Sequence, residues 1–235
     1  MRILSLDCAT ECATVAILED DKLIGEINFN YKKQHSVILM PMIDEVLKNA
    51  SLNINDIDGF VVSKGPGSFT GLRVGMATIK GLVQASKKPF ISVSTLDGLA
   101  NNLFYANGLI CPIMDALRGN VYTALYKFQD NNLISLTEPM VISLDELINT
   151  LKEKNESIYF IGDGTYKFKE KLSNELENIN FAPSHLNLAR AASLGQIGIK
   201  YLNDGIQDDI YATAPIYLRL SQAEREYEEK MKRNG

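Results

Sequence analysis

The chain has 235 residues, 46% hydrophobic and 23% charged, with a formal net charge of −5. These values are typical of a globular protein that buries one core, or two modest cores in a bilobal fold. The negative net charge argues against a nucleic-acid-binding surface on this chain. The three cysteines, Cys8, Cys12 and Cys111, do not have the spacing of a metal site or of a CxxC motif. No apolar run is long enough to span a membrane. At the N-terminus Asp7 comes too early for the apolar core of a signal peptide. We therefore expect a cytoplasmic protein.

The first thirty residues predict a meander of three strands. Residues 2–7 alternate as a strand does, 13–18 form an apolar run, and a third strand is predicted at 23–30 after a polar turn. Asp7 and Thr10 flank the first turn, and an acid followed by Thr after the first strand is how actin- and sugar-kinase-like folds begin their phosphate site. The glycine that such loops favour is absent, and an acid in a turn is also a common structural device. Both interpretations stay open here.

Residues 36–49 predict a helix with more than one apolar face. Ser36 is the predicted N-cap, and Pro41 is expected to bend the helix after its first turn. Residues 37–43 are apolar without a break, whereas a helix on one side of a sheet has a polar outer face. The excess predicts cover by another helix, from this chain or from a partner.

The most distinctive stretch follows a predicted strand at 59–63 and reads KGPGSFTGLRVG. It predicts a tight turn and then a helix over 69–86, with Ser68 as the N-cap. A Walker loop is excluded because Gly71 is not followed by Lys and Ser or Thr. A dinucleotide fingerprint is excluded because Thr70 stands where its third glycine belongs.

Small residues follow one face of that helix, at Gly71, Gly75, Thr78 and Ala85. Glycine costs about 1 kcal/mol relative to alanine in a helix interior, so this stripe needs a reason. Close packing on the chain's own sheet and a helix–helix contact with another protein explain it equally well.

The second half repeats the opening pattern. It contains predicted strands at 109–114, 121–128, 134–141 and 158–161 and predicted helices at 144–152, 166–177 and 188–202. Asp115 stands where Asp7 stands in the first half, and the Gly162-Asp163-Gly164 turn closes the last of these strands. Ser143 and Glu146 predict a capping box. A duplicated α/β fold follows, with two mixed-sheet lobes flanked by helices and a cleft between them.

We place residues 1–104 and about 205–225 in the first lobe and residues 105–204 in the second. The extended segment 213–219 is expected to pack back on the first lobe. The charged tail 226–235 is expected to fray.

Five segments resemble the bacterial TsaB (YeaZ) family, from the Asp7 turn to Arg219: GPGSFTGLRVG, HSVILMPMIDEVL, DALRGNVY, IGDG and PIYLR. The resemblance implies an actin- and sugar-kinase-like (ASKHA) bilobal fold and a role in making N6-threonylcarbamoyladenosine on tRNA. It implies a non-catalytic, degenerate relative of TsaD that binds TsaD, is joined by the ATPase TsaE, contacts tRNA only through that complex, and can also form a homodimer. One departure is Leu117, where family members often carry a second arginine beside Arg118.

The resemblance also implies the partner-binding face, on the helices at 36–49 and 69–86. The residues implied for it are Val37, Met40, Pro41, Ile43, Asp44, Leu47, Phe69, Gly71, Leu72, Gly75, Thr78, Ile79 and Leu82. TsaD relatives carry an HxxxH metal pair on the first of these helices, but this chain has His35 and Leu39 there. We therefore expect no metal site.

A vestigial nucleotide site is implied at Asp7, Thr10, Asp115, Gly162, Asp163 and Gly164. We expect no intrinsic cofactor, with ATP or ADP entering only at the level of the complex. The alternative is an ASKHA-type ATPase or kinase in its own right. A glycoprotease of the M22 type is the less favoured enzyme, because the metal pair is missing.

Overall fold

The computed structural model describes residues 1–31, 34–219 and 231. The strands are β1 (Arg2–Asp7), β2 (Cys12–Glu19), β3 (Lys22–Asn30), β4 (Gly59–Ser63), β5 (Phe90–Val93), β6 (Leu109–Asp115), β7 (Asn120–Thr123), β8 (Tyr126–Gln129), β9 (Asn132–Ser135), β10 (Met140–Ser143), β11 (Ile158–Ile161) and β12 (Ile179–Phe181). The helices are α1 (His35–Asn49), α2 (Phe69–Ser86), α3 (Thr95–Asn101), α4 (Leu144–Lys152), α5 (Gly164–Glu175) and α6 (Ala191–Asn203), with a 3-10 turn at Ile54–Asp56.

The two lobes are copies of one design. The first sheet has the strand order β3-β2-β1-β4-β5 and the second β10-β7-β6-β11-β12. In each sheet the central strand pairs antiparallel with one neighbour and parallel with the other. Helices α1 and α2 in the first lobe correspond to α4 and α5 in the second. The predicted duplicated, two-sheet α/β fold is confirmed.

The predicted meander of the second half is wrong in detail. The predicted strands 121–128 and 134–141 each split in two, so that β8 and β9 form an additional hairpin and β10 pairs with β7. Leu125, at the first break, donates its N–H to the Thr137 hydroxyl (3.0 Å) and accepts from the Leu136 N–H (2.7 Å). Ala124 and Leu125 continue the apolar run through the first break, so periodicity does not reveal it, whereas the second break contains Thr137, Glu138 and Pro139.

Helix α6 belongs to the first lobe, whereas the sequence predicted it in the second. It packs on the first sheet, on the face opposite α1 and α2. A Cβ on Gly198 would lie 2.5 Å from a methyl group of Val61, so the glycine permits this close approach. Glu26 of β3 accepts hydrogen bonds from Arg190 and from the Ala192 N–H (2.9 Å) at the start of the helix. The predicted second lobe, 105–204, is therefore too long.

The segment after α6 returns along the first lobe. Asp208 accepts the Ser92 N–H (2.8 Å), and the Ile216 N–H donates to the Lys64 carbonyl (2.7 Å). The part of the first-lobe prediction at 220–225 and the predicted fraying of 226–235 lie outside the described residues, Met231 excepted. None of the helices among the described residues could cross a membrane.

Helix α3 lies between the lobes and joins their cores. Leu96 and Leu99 pack in one cluster with Ile110 and Tyr126 of the second lobe. The Tyr126 hydroxyl donates to the Asp97 carboxylate (2.8 Å). Burial raises the pKa of Asp97, which this hydrogen bond partly offsets. The cleft is therefore bounded by two lobes that share a packed core.

Candidate functional site: the α1–α2 face and the interlobe cleft

The glycine stretch forms the turn between β4 and α2. Gly65 has a φ of +99°, which only glycine adopts readily. Ser68 is the N-cap, as predicted, because its hydroxyl accepts the Gly71 N–H (3.3 Å). The Ser68 N–H donates to the Ala9 carbonyl (2.7 Å). The start of α2 is therefore tied to the β1–β2 turn.

Helix α1 begins one residue earlier than predicted. Gln34 is its N-cap, without a side-chain hydrogen bond, and its carbonyl accepts the Val37 N–H (2.9 Å). The prediction of Ser36 as N-cap is wrong, because this carbonyl already closes the first turn. His35 lies against the β1–β2 turn, with Nε2 3.4 Å from the Glu11 carbonyl oxygen.

The inner half of the glycine stripe packs on the chain's own sheet. A Cβ on Gly71 would lie 1.9 Å from the Cys8 carbonyl oxygen, and one on Gly75 would lie 3.1 Å from Leu6 Cδ1. By contrast, a Cβ on Gly81 would meet no atom within 4 Å. The prediction that Gly71 and Gly75 contact a partner is therefore corrected, since both are covered by β1 and the turn after it.

The other predicted interface residues divide by exposure. Leu72 and Ile79 are buried in the chain's own cores and are also removed from the face. Phe69 is half-buried and stacks on Tyr217, with ring centroids 4.2 Å apart. Because Tyr217 covers its ring, we leave Phe69 out of the α1–α2 face. We define this face by the other exposed or half-buried predicted residues, Val37, Met40, Pro41, Asp44, Thr78 and Leu82.

A groove at this face lies between the second half of α1, the segment 51–54 that follows it, and Leu82 of α2. Met40, Asp44 and Leu82 line a space of about 590 Å³. Ile43 and Leu47, which are 2% and 8% exposed, form its floor. The structure therefore brings Met40, Asp44 and Leu82 together at one surface, with Ile43 and Leu47 buried beneath them.

The predicted nucleotide-site residues lie at and behind the cleft. The cleft has a volume of about 490 Å³, and its lining includes Thr10, Glu11, Asp115, Leu117, Asp163 and Arg219. Asp7 lies behind this surface, 2% exposed, and accepts the Ala9 N–H (2.6 Å). Burial raises the pKa of Asp7 to about 6, although hydrogen bonds from Ala9 and Ser63 oppose the shift.

The two second-lobe carboxylates are bound by groups of the chain itself. Asp163 accepts the Asp115 N–H (3.2 Å), and burial raises the pKa of Asp163 to about 6, with a smaller contribution from the charge of Asp115. Asp115 forms an ion pair with Lys167 (2.9 Å) and accepts the Leu117 N–H (2.9 Å). Sequence reasoning missed Lys167, because nothing in the pattern of α5 distinguishes it from the neighbouring lysines.

The Gly162-Asp163-Gly164 turn packs against β6. Cβ atoms on Gly162 and Gly164 would lie 2.4 and 2.9 Å from the Ile113 carbonyl oxygen. The Gly162 N–H donates to Asn187 (2.7 Å), whose amide in turn donates to Thr165 (2.6 Å). Asn187 is buried and was not predicted, since no motif marks it. Close packing thus accounts for these glycines.

In the described part of the chain no cluster of three His, Cys, Asp or Glu residues could hold a metal ion.

Comparisons with known proteins place this geometry in a family. The family model described as TsaD, tRNA N6-adenosine threonylcarbamoyltransferase, matches residues 22–227. The tRNA threonylcarbamoyladenosine biosynthesis protein TsaB of Bacillus subtilis is 33% identical over 99% of this chain and 100% of its own length. The protein of the same name from Escherichia coli is 27% identical over 93% of this chain and 95% of its own length.

Solved structures agree on the fold. YeaZ from Pseudomonas aeruginosa superimposes with a TM-score of 0.79 at 22% identity, covering 92% of this chain and 99% of its own. The activator of 2-hydroxyisocaproyl-CoA dehydratase from Clostridium difficile superimposes with a TM-score of 0.51 at 10% identity, covering 89% and 99%. The fold is therefore of the ASKHA type. Full-length similarity to proteins named TsaB, together with the matching family model, shows that the chain belongs to the TsaB (YeaZ) family, whose named members take part in the biosynthesis of tRNA threonylcarbamoyladenosine.

Proposed function

We propose that the chain is a non-catalytic subunit that binds a TsaD-type threonylcarbamoyltransferase through the α1–α2 face. It would thereby support threonylcarbamoylation of tRNA adenosine next to the anticodon. The observation that carries this proposal is the exposure of large apolar side chains on α1: Val37 is 64% exposed and Met40 is 51% exposed. Pro41 is exposed beside them. Clustered apolar side chains at a rigid helix surface are typical of protein–protein interfaces.

The shape of the face suits a partner helix. On the outer side of α2, Ala77, Gly81 and Ala85 are exposed and small. Small side chains reduce the distance at which two helix axes can pack. Met40 and Leu82 both line the groove described above, so an apolar side chain of the partner could contact both of them there.

The same face would serve the homodimer, since the groove and the apolar side chains are available to any complementary helix pair. TsaE would join once TsaD is bound. We assign tRNA binding to the complex, because the net charge of −5 offers little attraction for phosphates.

The cleft supports a role without catalysis. Asp163 and Asp115 are bound by groups of the chain itself, as described above, and Asp7 is buried behind the surface. We therefore propose that the chain has no intrinsic cofactor and that ATP or ADP binds only at the level of the complex. The competing proposal, an ASKHA-type ATPase, draws on the proximity of Thr10, Asp115 and Asp163. ATP hydrolysis by the pure chain that disappears in Asp7→Ala would favour it.

The test is light scattering on a sizing column, with the chain alone and then mixed with the TsaD of the same organism. We expect a homodimer that converts to a one-to-one complex. Met40→Glu should weaken binding to TsaD by at least about tenfold, because it replaces an exposed apolar side chain of the groove by a charge that the partner would have to desolvate.

Leu136→Glu is the matched control, since Leu136 is 48% exposed in the second lobe. It should bind TsaD as the unmodified chain does. Folded Met40→Glu that bound TsaD with unchanged affinity would show that the face is wrongly assigned.

A further inference from the structure

The two lobes differ on the sheet face opposite their paired helices. In the first lobe α6, with 13 residues, covers this face as far as β4 and β5. Its counterpart in the second lobe is α3, which has 7 residues and packs on β6 and β9. The corresponding face of β11 and β12 forms the floor of an open pocket of about 500 Å³. Pockets of this size commonly hold small ligands.

The pocket is aromatic and carries no formal charge. Its lining includes Phe104, Tyr105 and Tyr159, with Ala182 and Leu186. Tyr105 is 93% exposed and meets the ring of Phe104 edge-on, with centroids 5.0 Å apart. Among the described residues that line the pocket there is no Asp, Glu, Lys, Arg or His. The lining therefore offers no counter-charge to a charged ligand, which favours an uncharged one.

Two polar groups in this lining are available to a ligand. The Asn180 carboxamide and the Tyr159 hydroxyl make no hydrogen bond to the described part of the chain. By contrast, the Asn102 amide is already bound to the carbonyls of Leu186 (2.8 Å) and Leu188 (2.9 Å). A carboxamide offers a donor and an acceptor side by side.

We propose that this pocket binds an uncharged heteroaromatic base, and specifically an adenine. The adenine N6 amino group and N7 match the acceptor and donor of Asn180, whereas guanine presents two acceptors on the same edge. The ring would stack on Tyr159 or Tyr105, as unpaired bases do on aromatic side chains. The base comes either from a free nucleoside or from an unpaired position of an RNA strand. This inference does not depend on the α1–α2 face.

The first test is a titration of the full-length 15N-labelled chain with adenosine, followed by nuclear magnetic resonance. We expect saturable shifts of the Asn180 amide and of amides around the pocket, with adenosine binding more tightly than guanosine. Tyr159→Leu should weaken adenosine binding about tenfold or more, because it removes a stacking surface. Asn180→Leu should abolish the preference for adenosine over guanosine.

Tyr166→Leu is the matched control, since Tyr166 is 62% exposed on α5 and does not line the pocket. It should bind adenosine as the unmodified chain does. A short single-stranded oligoadenylate distinguishes the two sources: tighter binding than adenosine indicates a base within RNA, and equal or weaker binding indicates a free nucleoside. The proposal is overturned if no saturable shift occurs up to about 10 mM adenosine. It is also overturned if folded Tyr159→Leu and Asn180→Leu both bind adenosine unchanged.

Discussion

The two lobes carry equivalent helix pairs whose outer surfaces differ in chemistry. On α4 and α5, ion pairs cross the exposed side, from Lys171 to Asp145 and from Lys152 to Glu175. Such a surface is typical of a face in contact with water. On α1 the exposed side instead presents Val37 and Met40. The duplicated architecture thus has one helix face crossed by ion pairs and one helix face that exposes large apolar side chains.

The inner sides of the two pairs are alike, since each packs an apolar cluster against its own sheet. The contrast therefore does not arise from what the fold needs for its cores. A surface that deviates from its own structural copy is the better candidate for a partner, which is why we assign the interface to the first lobe.

The largest effect is expected inside the α1–α2 pair. Gly71→Ala should lower the free energy of unfolding by about 4 kcal/mol, because the added Cβ would collide with the Cys8 carbonyl oxygen. Gly81→Ala is the matched control in the same helix and should raise the free energy of unfolding by about 0.5–1 kcal/mol. Urea denaturation measures both. Equal effects of the two substitutions would show that α2 does not pack on β1 as described.

Asp7 should make stability depend on pH. Its pKa is about 6 in the folded chain against an ordinary 3.8, so the folded state binds the proton more strongly than the unfolded state. The resulting stabilisation is complete below pH 3.8 and is lost as the pH rises through 6. Asp7→Asn should reduce the loss of unfolding free energy between pH 4 and pH 7 by about 2 kcal/mol. We would follow this by denaturation across that range. A pH profile identical to that of the unmodified chain would contradict the burial argument.

The caps of α4 and α1 should differ in strength. Ser143→Ala removes a capping box in which Ser143 and Glu146 bond reciprocally, and should cost about 1 kcal/mol of unfolding free energy. Ser36→Ala should have almost no effect, because Ser36 lies inside the first turn of α1 and does not cap it. Thermal denaturation of the Ser143→Ala and Ser36→Ala variants measures the two changes in stability. A larger cost for Ser36→Ala would restore Ser36 as the cap.

The smallest effect is expected on the charged face. Lys171→Ala removes an exposed ion pair with Asp145 and should change the free energy of unfolding by less than about 0.5 kcal/mol. It should leave the binding of TsaD unchanged, as the light-scattering assay can measure. Weaker binding in this variant would place part of the interface on the second lobe and would break the comparison.

Local signals in the sequence were sufficient for most of the elements. The limits of β4, α2 and α4 agree with the predictions to the residue, because caps such as Ser68 and Ser143 act on adjacent backbone groups. The duplication of the fold was also predictable from the sequence, since Asp7 and Asp115 end equivalent strands. The family resemblance added the expected location of the partner face.

The sequence by itself therefore determined the class of fold, the order of its main elements and the family. Only the tertiary structure decided that Gly71 packs on the chain's own backbone and that α6 crosses to the first sheet. It also decided that Asn187 binds the Gly162 turn and that Lys167 pairs with Asp115. These contacts join residues far apart in the chain, and a periodic pattern carries no information on which distant surface a helix face will meet.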